Sequence, residues 1–447
     1  MLQKSRMQGA YATAVNGWIR AHFEGAPLDI GYQNGALLAP QIQAVVERLR
    51  LYVRHTWDDW EFFRKAARDL YMPKVPGDLA EEMRGIVEGM RDAGVSDLDY
   101  VDVVALNGYF DTSYSYYYYL KANELRRLGE DVPPMEEHGG CSAFVATGSA
   151  TRDGRIVMAH NTWFPYMISR WNVIADYAPD AGRRFLMQCY PGTVYSGTDF
   201  YLNDAGLAVT ETTITGMFTF HPEGTPYFVR ARQAIQNAES LDAWSQTMRT
   251  DNNGGYANDW LVADSRSSEI MTLELGTHHH QTWRTRDGFF VGCNVAQDPE
   301  VRTETSFAYD DPNNACNARH RRWHELFRQE QGRVDVDFAK RALADHLDVR
   351  VGREIPSRTT LCGHVDADPT GLPEWEWGGN YPGGSFDGIV TASDLIPEGA
   401  LWAHWGKPCG ANYNFAEHLR EHPEYAWQVP LAQDITAYPW TLFSAGW

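Results

Sequence analysis

The sequence predicts an α+β domain in which sheets carry packed helices. Apolar residues recur at helical spacing through the first third, short apolar runs of strand character follow Cys141, and the later helices come in blocks. Strict alternation of strand and helix would have indicated a doubly wound nucleotide-binding sheet. No glycine-rich phosphate loop followed by Lys-Ser/Thr is present.

In chain order, a first helix is expected from Pro40 through PQIQAVVERLRLYVRHTWDDWEFFRKAARDLY. A second starts at Asp78, carries Leu79, Met83, Ile86, Val87 and Met90 on one face, and stops at Gly94. Ser96 is the expected cap of a third, through Val101, Val104 and Leu106. The polar, Pro- and Gly-rich stretch LGEDVPPMEEHGG then reads as an exposed linker ending at Cys141. CSAFVA and RIVMAHNTW form a hairpin around Asp153-Gly154. Further strands are expected at NVIADY, RFLMQCY, GLAVTETT, DWLVAD, EIMTLEL and GFFVGCN, and helices at PYFVRARQAIQNA, ARHRRWHELFRQ and VDFAKRALADHL. No repeat period is evident.

At 447 residues, 43% hydrophobic and 22% charged, the chain has material for a sizeable core. A net charge of -20 repels phosphate-rich partners, so no nucleic acid and no anionic membrane surface is expected. A lipid substrate, drawn in through its acyl chain, stays compatible. The 16 Trp and 23 Tyr include the cluster Tyr116 to Tyr119, aromatic surface suited to an acyl group or to ordinary core packing. The N-terminal residues lack the apolar stretch of a signal peptide and no run could span a bilayer, so a cytoplasmic protein without stable membrane insertion is expected. The six cysteines, Cys141, Cys189, Cys293, Cys316, Cys362 and Cys409, contain no CxxC pair. They are expected to be mostly reduced thiols, neither a disulfide scaffold nor a zinc site.

Cys141 follows Gly139-Gly140 at a junction between linker and strand. If the Gly140–Cys141 bond is broken, the thiol gains a neighbouring α-amine whose unperturbed pKa near 8 suits a general base. Glycine before the cysteine permits the strained backbone that attack on the preceding carbonyl requires. A buried strand cysteine is the other reading of the same residues.

The run GGCSAFVATGSATRDGRIVMAHNTW, then YPGTVYSGTDFYLNDAGLAVTETT, then NDWLVAD, resembles the phospholipase B-like family in element order and spacing. LDYVDVVALNGYFD, LCGHVDADPTG and ALWAHWGKPCGANY also resemble bacterial autoproteolytic acyltransferases and hydrolases related to penicillin acyltransferase. The resemblance runs from about Ser96 to about Tyr413 and implies a four-layer αββα N-terminal-nucleophile sandwich. It further implies residues 1–140 as a helical segment, cleaved from but packed on a catalytic domain of residues 141–447. The implied activity is cleavage of amide or ester bonds in a small acylated substrate, lipid or N-acyl amide, without a cofactor. Acyl transfer to a second acceptor, and an inactive binding homologue, are the alternatives, and a homo-oligomer is compatible with each.

The same resemblance implies Cys141 as nucleophile, with His160 as proton shuttle or amine partner, Asn294 in an oxyanion hole and Arg319 as a fixed cation near the thiol. Asn161, Trp163, Asp199 and Asn258 are the implied substrate contacts. Related bile-salt and penicillin V hydrolases hold the α-amine with an Asp where this chain has Trp163, and Asp199 is the expected substitute. An Asx turn before Asp298-Pro299 is the other reading of Asn294, and a solvated helix face that of Arg319. The tract His278 to His280, and the pair His320 and His324 four apart, lack a matching acidic residue, so no metal is expected there. There is no GxSxG elbow for a serine hydrolase.

Overall fold

The structure is a computed structural model and describes residues 2–130, 140–170, 172–373 and 376–447. Its strands are β1 (Tyr11–Val15), β2 (Trp18–Gly25), β3 (Gly140–Gly148), β4 (Gly154–Pro165), β5 (Val173–Pro179), β6 (Phe185–Cys189), β7 (Phe200–Asn203), β8 (Leu207–Thr213), β9 (Asn258–Asp264), β10 (Glu269–Leu275), β11 (His280–Thr285) and β12 (Gly288–Gly292). They continue with β13 (Leu347–Asp348), β14 (Arg353–Glu354), β15 (Gly383–Ser385), β16 (Asp387–Ala392), β17 (Ala400–Trp405) and β18 (Thr441–Ser444). The helices that matter for the site are α1 (Pro27–Thr56), α2 (Trp60–Ala66), α3 (Gly77–Asp92), α4 (Tyr100–Asn107), α5 (Tyr117–Leu128), α6 (Tyr227–Asn237), α7 (Leu241–Arg249), α8 (Pro299–Arg302), α9 (Ala315–Gln329) and α10 (Val336–Leu343).

Two large sheets stack face to face. A nine-stranded sheet has the order β1-β2-β5-β6-β7-β8-β9-β10-β11, and a seven-stranded sheet runs β12-β3-β4-β16-β17-β18 with β15 also on β4. Strand β3 lies across β8 and β9 of the larger sheet, α6 and α7 cover that sheet's outer face, and α9 and α10 cover the outer face of the smaller one. The molecule is therefore an α+β sandwich in helix-sheet-sheet-helix layers.

Strand alternation decides which residues enter which layer. On β3 and β4, Ala143, Val145 and Met158 join the central core between the sheets. Phe144, Ala146, Val157 and Ala159 pack outward against Trp323 and Phe327 of α9 and Phe338 and Leu343 of α10. Cys141, two residues before Ala143, is thus directed to the central layer, as is His160, which pairs with Ala143.

Residues 1–140 are not wholly helical. Tyr11 to Gly25 form a hairpin around Asn16 (φ 46°) and Gly17 (φ 83°), the Asn-Gly pair that a tight two-residue turn demands. Its second strand pairs in parallel with β5, so this segment is part of the larger sheet. The first helix starts at Pro27, not Pro40: a proline inside a helix forfeits one hydrogen bond, and burial of Ile30, Leu38, Ile42 and Val46 outweighs that loss. It crosses α3 at very short range. A Cβ on Gly31 would fall 1.8 Å from the Glu82 carbonyl oxygen and one on Gly35 2.0 Å from that of Ile86. Asp99, not Ser96, caps α4 through a reciprocal box with Asp102. Of the expected linker, residues 131–139 lie outside the described residues. No helix among the described residues is long and apolar enough to cross a membrane.

Candidate active site

Cys141 is the second residue of β3, opposite Thr162 of β4, with 3% of its surface exposed. Its backbone N–H donates to Asn294 Oδ1 at 3.1 Å, and its carbonyl accepts from Arg319 Nη1. Arg319 also donates from Nη2 to Asn294 Oδ1 at 3.0 Å and from Nη1 to Ser142 Oγ at 3.2 Å. The guanidinium lies 4.3 Å from the centre of the Trp163 ring. Trp163 donates from Nε1 to Asn161 Oδ1 at 3.2 Å, and that oxygen accepts from Ser142 N–H at 3.0 Å. Cys141, Asn161, Trp163, Asn294 and Arg319 therefore form one connected cradle.

Each member is delivered by a local rule. Asn294 follows β12 with φ 68°, a left-handed conformation that asparagine tolerates better than most residues. Its Nδ2 donates to Thr213 O at 2.9 Å, so the amide NH2 expected at an oxyanion is engaged and its carbonyl faces the cysteine. The Asx turn near Asp298 belongs to Asp298, which caps α8. Asn314 caps α9 by accepting from Cys316 N–H at 2.8 Å, which fixes the helix that carries Arg319. Arg319 is fully buried, so it is not on a solvated face, whereas Arg322 pairs with Asp345 at 2.7 Å.

Asp199 does not touch the Cys141 amide. It accepts from Tyr227 OH at 2.9 Å and from Tyr256 OH at 3.1 Å, and it hydrogen-bonds Glu211, which accepts from Tyr256 OH at 3.0 Å. Burial pushes Asp199 up to about 6 and, together with the Asp199 charge, holds Glu211 well above the usual carboxylate range. Burial, then the charges of Glu211 and Asp199, raise the Cys141 thiol well above its ordinary range, so the uncut thiol is protonated at neutral pH. Asp387 accepts from Thr162 N–H at 2.8 Å and from Gln188 Nε2 at 2.5 Å, and burial brings it up to about 7.

His160 is buried, and neither ring nitrogen meets a hydrogen-bond partner among the described residues; burial pushes it down to about 3, so it is uncharged at neutral pH. Asn258 is equally buried, with both amide atoms unpartnered among the described residues. Beside β4, a small apolar pocket with about 20 Å³ of internal space is lined by Val45, Leu49, Leu106, Phe110, Phe164 and Tyr195, among others. Phe110 links it to the carboxylate pair by stacking on Tyr256 with ring centres 4.7 Å apart.

His278 and His279 lie on a turn whose amides, with that of Thr277, donate to Glu304, and the His320 and His324 rings sit 4.6 Å apart on α9. All six cysteines are free thiols. Cys362 and Cys409, to which the sequence assigned no ligand role, converge with His346 and His364, their donor atoms lying within 4.8 Å of one another. Sequence reasoning missed this group because its members come from three separated loops.

The molecule is a two-sheet α+β sandwich with Cys141 near the start of an inner strand. The phospholipase B family model matches residues 34–281, more than half of the chain, and the chain belongs to that family. An uncharacterized protein of Archaeoglobus fulgidus is 31% identical over 372 residues, 76% of this chain and 60% of that one. Putative phospholipase B-like 2 of Rattus norvegicus is 30% identical over 155 residues, covering 31% and 26%, and phospholipase B of Crotalus adamanteus is 26% identical over 239 residues, covering 45% and 41%. The chain thus spans 60% or less of the length of these relatives. Among solved structures, penicillin V acylase from Agrobacterium tumefaciens is similar over 59% of this chain and 83% of that one, at 12% identity and a TM-score of 0.35. A mutant of conjugated bile acid hydrolase from Clostridium perfringens is similar over 59% and 88%, at 7% identity and a TM-score of 0.33.

Proposed function

We propose that the chain is a cysteine acyl hydrolase that cuts its own Gly140–Cys141 bond and then hydrolyses amide or ester bonds of an acylated substrate. The observation that carries this reading is the grip on the peptide of Cys141. Its nitrogen, the atom that a cut would turn into the α-amine, is held by the Asn294 side chain, and its carbonyl is held by Arg319.

In the self-cut, the Cys141 sulfur attacks the Gly140 carbonyl carbon, the peptide nitrogen leaves with a proton, and water hydrolyses the resulting thioester to free the Gly140 carboxylate. In turnover, the α-amine takes the thiol proton, the thiolate attacks the substrate carbonyl, and the amine passes the proton to the leaving group. Water then resolves the acyl-thioester. A freed amine retains Asn294 Oδ1 as an acceptor, which supplies the orientation that relatives obtain from an Asp at the Trp163 position. Trp163 instead supports Arg319 and Asn161. His160 and Asn258, uncharged and unpartnered among the described residues, offer hydrogen bonds to a substrate carbonyl or head group. The apolar pocket beside Phe164 is walled in part by α1 and α4 and would take an acyl chain once its side chains part, so residues 1–140 contribute to substrate binding after a cut.

Intact-mass measurement on purified protein tests the first half: two fragments divided before Cys141 are expected, against one full-length chain for Cys141→Ala. Profiling acyl esters and amides tests the second half. Activity of equal rate in the Cys141→Ala protein would overturn the mechanism.

A further inference from the structure

Away from Cys141, four side chains from three loops converge. His346 follows α10, Cys362 and His364 lie in the loop before β15, and Cys409 follows β17. Their donor atoms all lie within 4.8 Å of one another. His364 Nε2 is 3.0 Å from His346 Nε2, 3.4 Å from Cys362 Sγ and 3.5 Å from Cys409 Sγ. One ring nitrogen can satisfy only one of those three contacts as a hydrogen bond. The arrangement instead has the form of donors facing a common centre. With Zn–S of about 2.3 Å and Zn–N of about 2.0–2.1 Å, a tetrahedral ion sets N···S edges of about 3.6 Å and an N···N edge of about 3.4 Å.

We propose that His346, Cys362, His364 and Cys409 form a structural zinc site. Two neutral imidazoles and two thiolates are the donor set that selects zinc in closed tetrahedral geometry, and two thiolates balance the dication in a largely buried place. Lys407 Nζ stands 3.4 Å from His364 Nδ1, the ring nitrogen that a metal bound at Nε2 leaves over, and its partner Asp366 has Oδ1 3.8 Å from the same nitrogen, beyond hydrogen-bond reach. Cys362 Sγ also has Ser385 Oγ at 3.6 Å.

The ion would fasten the floor of the cysteine cradle. Leu361 O, next to Cys362, accepts from Asn161 Nδ2 at 2.9 Å, and Gly363 lies so close under Trp163 that a Cβ there would fall 2.2 Å from its ring. Zinc would tie this loop to those after α10 and β17, and so set the positions of Asn161 and Trp163 from behind. The ion is structural in this proposal and takes no part in the chemistry at the thiol.

The test is metal analysis of full-length protein purified in reducing buffer without chelator, on the wild type and on Cys141→Ala. One zinc per chain, retained through dialysis in both proteins, is expected. Because Cys141→Ala is included, the result is independent of any self-cut. Cys409→Ser and His346→Asn should each lose the ion, while Cys189→Ser should keep it. Cobalt loaded in place of zinc should give the intense visible bands of a tetrahedral thiolate complex. Wild-type protein without bound metal after zinc addition under reducing conditions, or a Cys362–Cys409 disulfide in its peptide map, would overturn the site. So would zinc retained at full stoichiometry in Cys409→Ser.

Discussion

Arg319 has the most to hold in the site. It is fully buried, it bonds the Cys141 carbonyl and the Asn294 side chain, and it stacks on Trp163. Arg319→Met keeps length and apolar bulk but removes charged hydrogen bonds worth about 1.5–3 kcal/mol each. Denaturant unfolding is expected to show a loss of about 3 kcal/mol, and intact mass should show slower cutting. Asp387 gives a pH signature. An unfolded chain releases this proton near pH 3.8, whereas the folded protein holds it to about 7, so stability falls as pH rises through that window. Asp387→Asn should flatten the fall and raise the thermal midpoint at about pH 8 relative to wild type, as calorimetry at about pH 4 and about pH 8 would show. That Cys141, Asn294 and Arg319 lie together was legible in the sequence through the family resemblance of the short runs that carry them. The roles within the group were less so. Which end of the Asn294 amide faces the cysteine depends on Thr213, a residue 81 positions away.

Elements were legible where periodicity and termini agreed. The strands around Cys141 and the helix at Gly77–Asp92 formed as their patterns implied. The Tyr11–Gly25 hairpin carried its own signal in Asn16-Gly17, overshadowed by the helical segments that follow. Pro40 misled for a different reason, since tertiary burial overrides the local cost of an internal proline. The glycines at 31, 35, 85 and 89 look like poor helix formers in sequence, yet they allow α1 and α3 to approach backbone to backbone. Gly35→Ala should therefore destabilise the fold, by about 1–3 kcal/mol for overpacking, although alanine favours helices. A higher midpoint for this variant in thermal unfolding would show that the contact relaxes more easily than its geometry implies.

For the whole molecule, the apolar cavity and the shared sheet bind the two sides of the proposed cut together. Leu106→Ala, which enlarges the pocket from α4, is expected to raise activity on long acyl donors relative to short ones, read as the ratio of kcat/KM values. The parallel pairing of β2 with β5 predicts that fragments 1–140 and 141–447 co-elute in size-exclusion chromatography and part only in denaturant. The groups that hold Cys141 also carry a consequence for timing. Asn294 and Arg319 lie 153 and 178 residues beyond it in the chain. A nascent polypeptide still short of them has the cysteine but nothing to grip its peptide bond. Self-cleavage of this design would report that synthesis and folding have reached the far side of the sandwich, so chains truncated before Arg319 should remain whole.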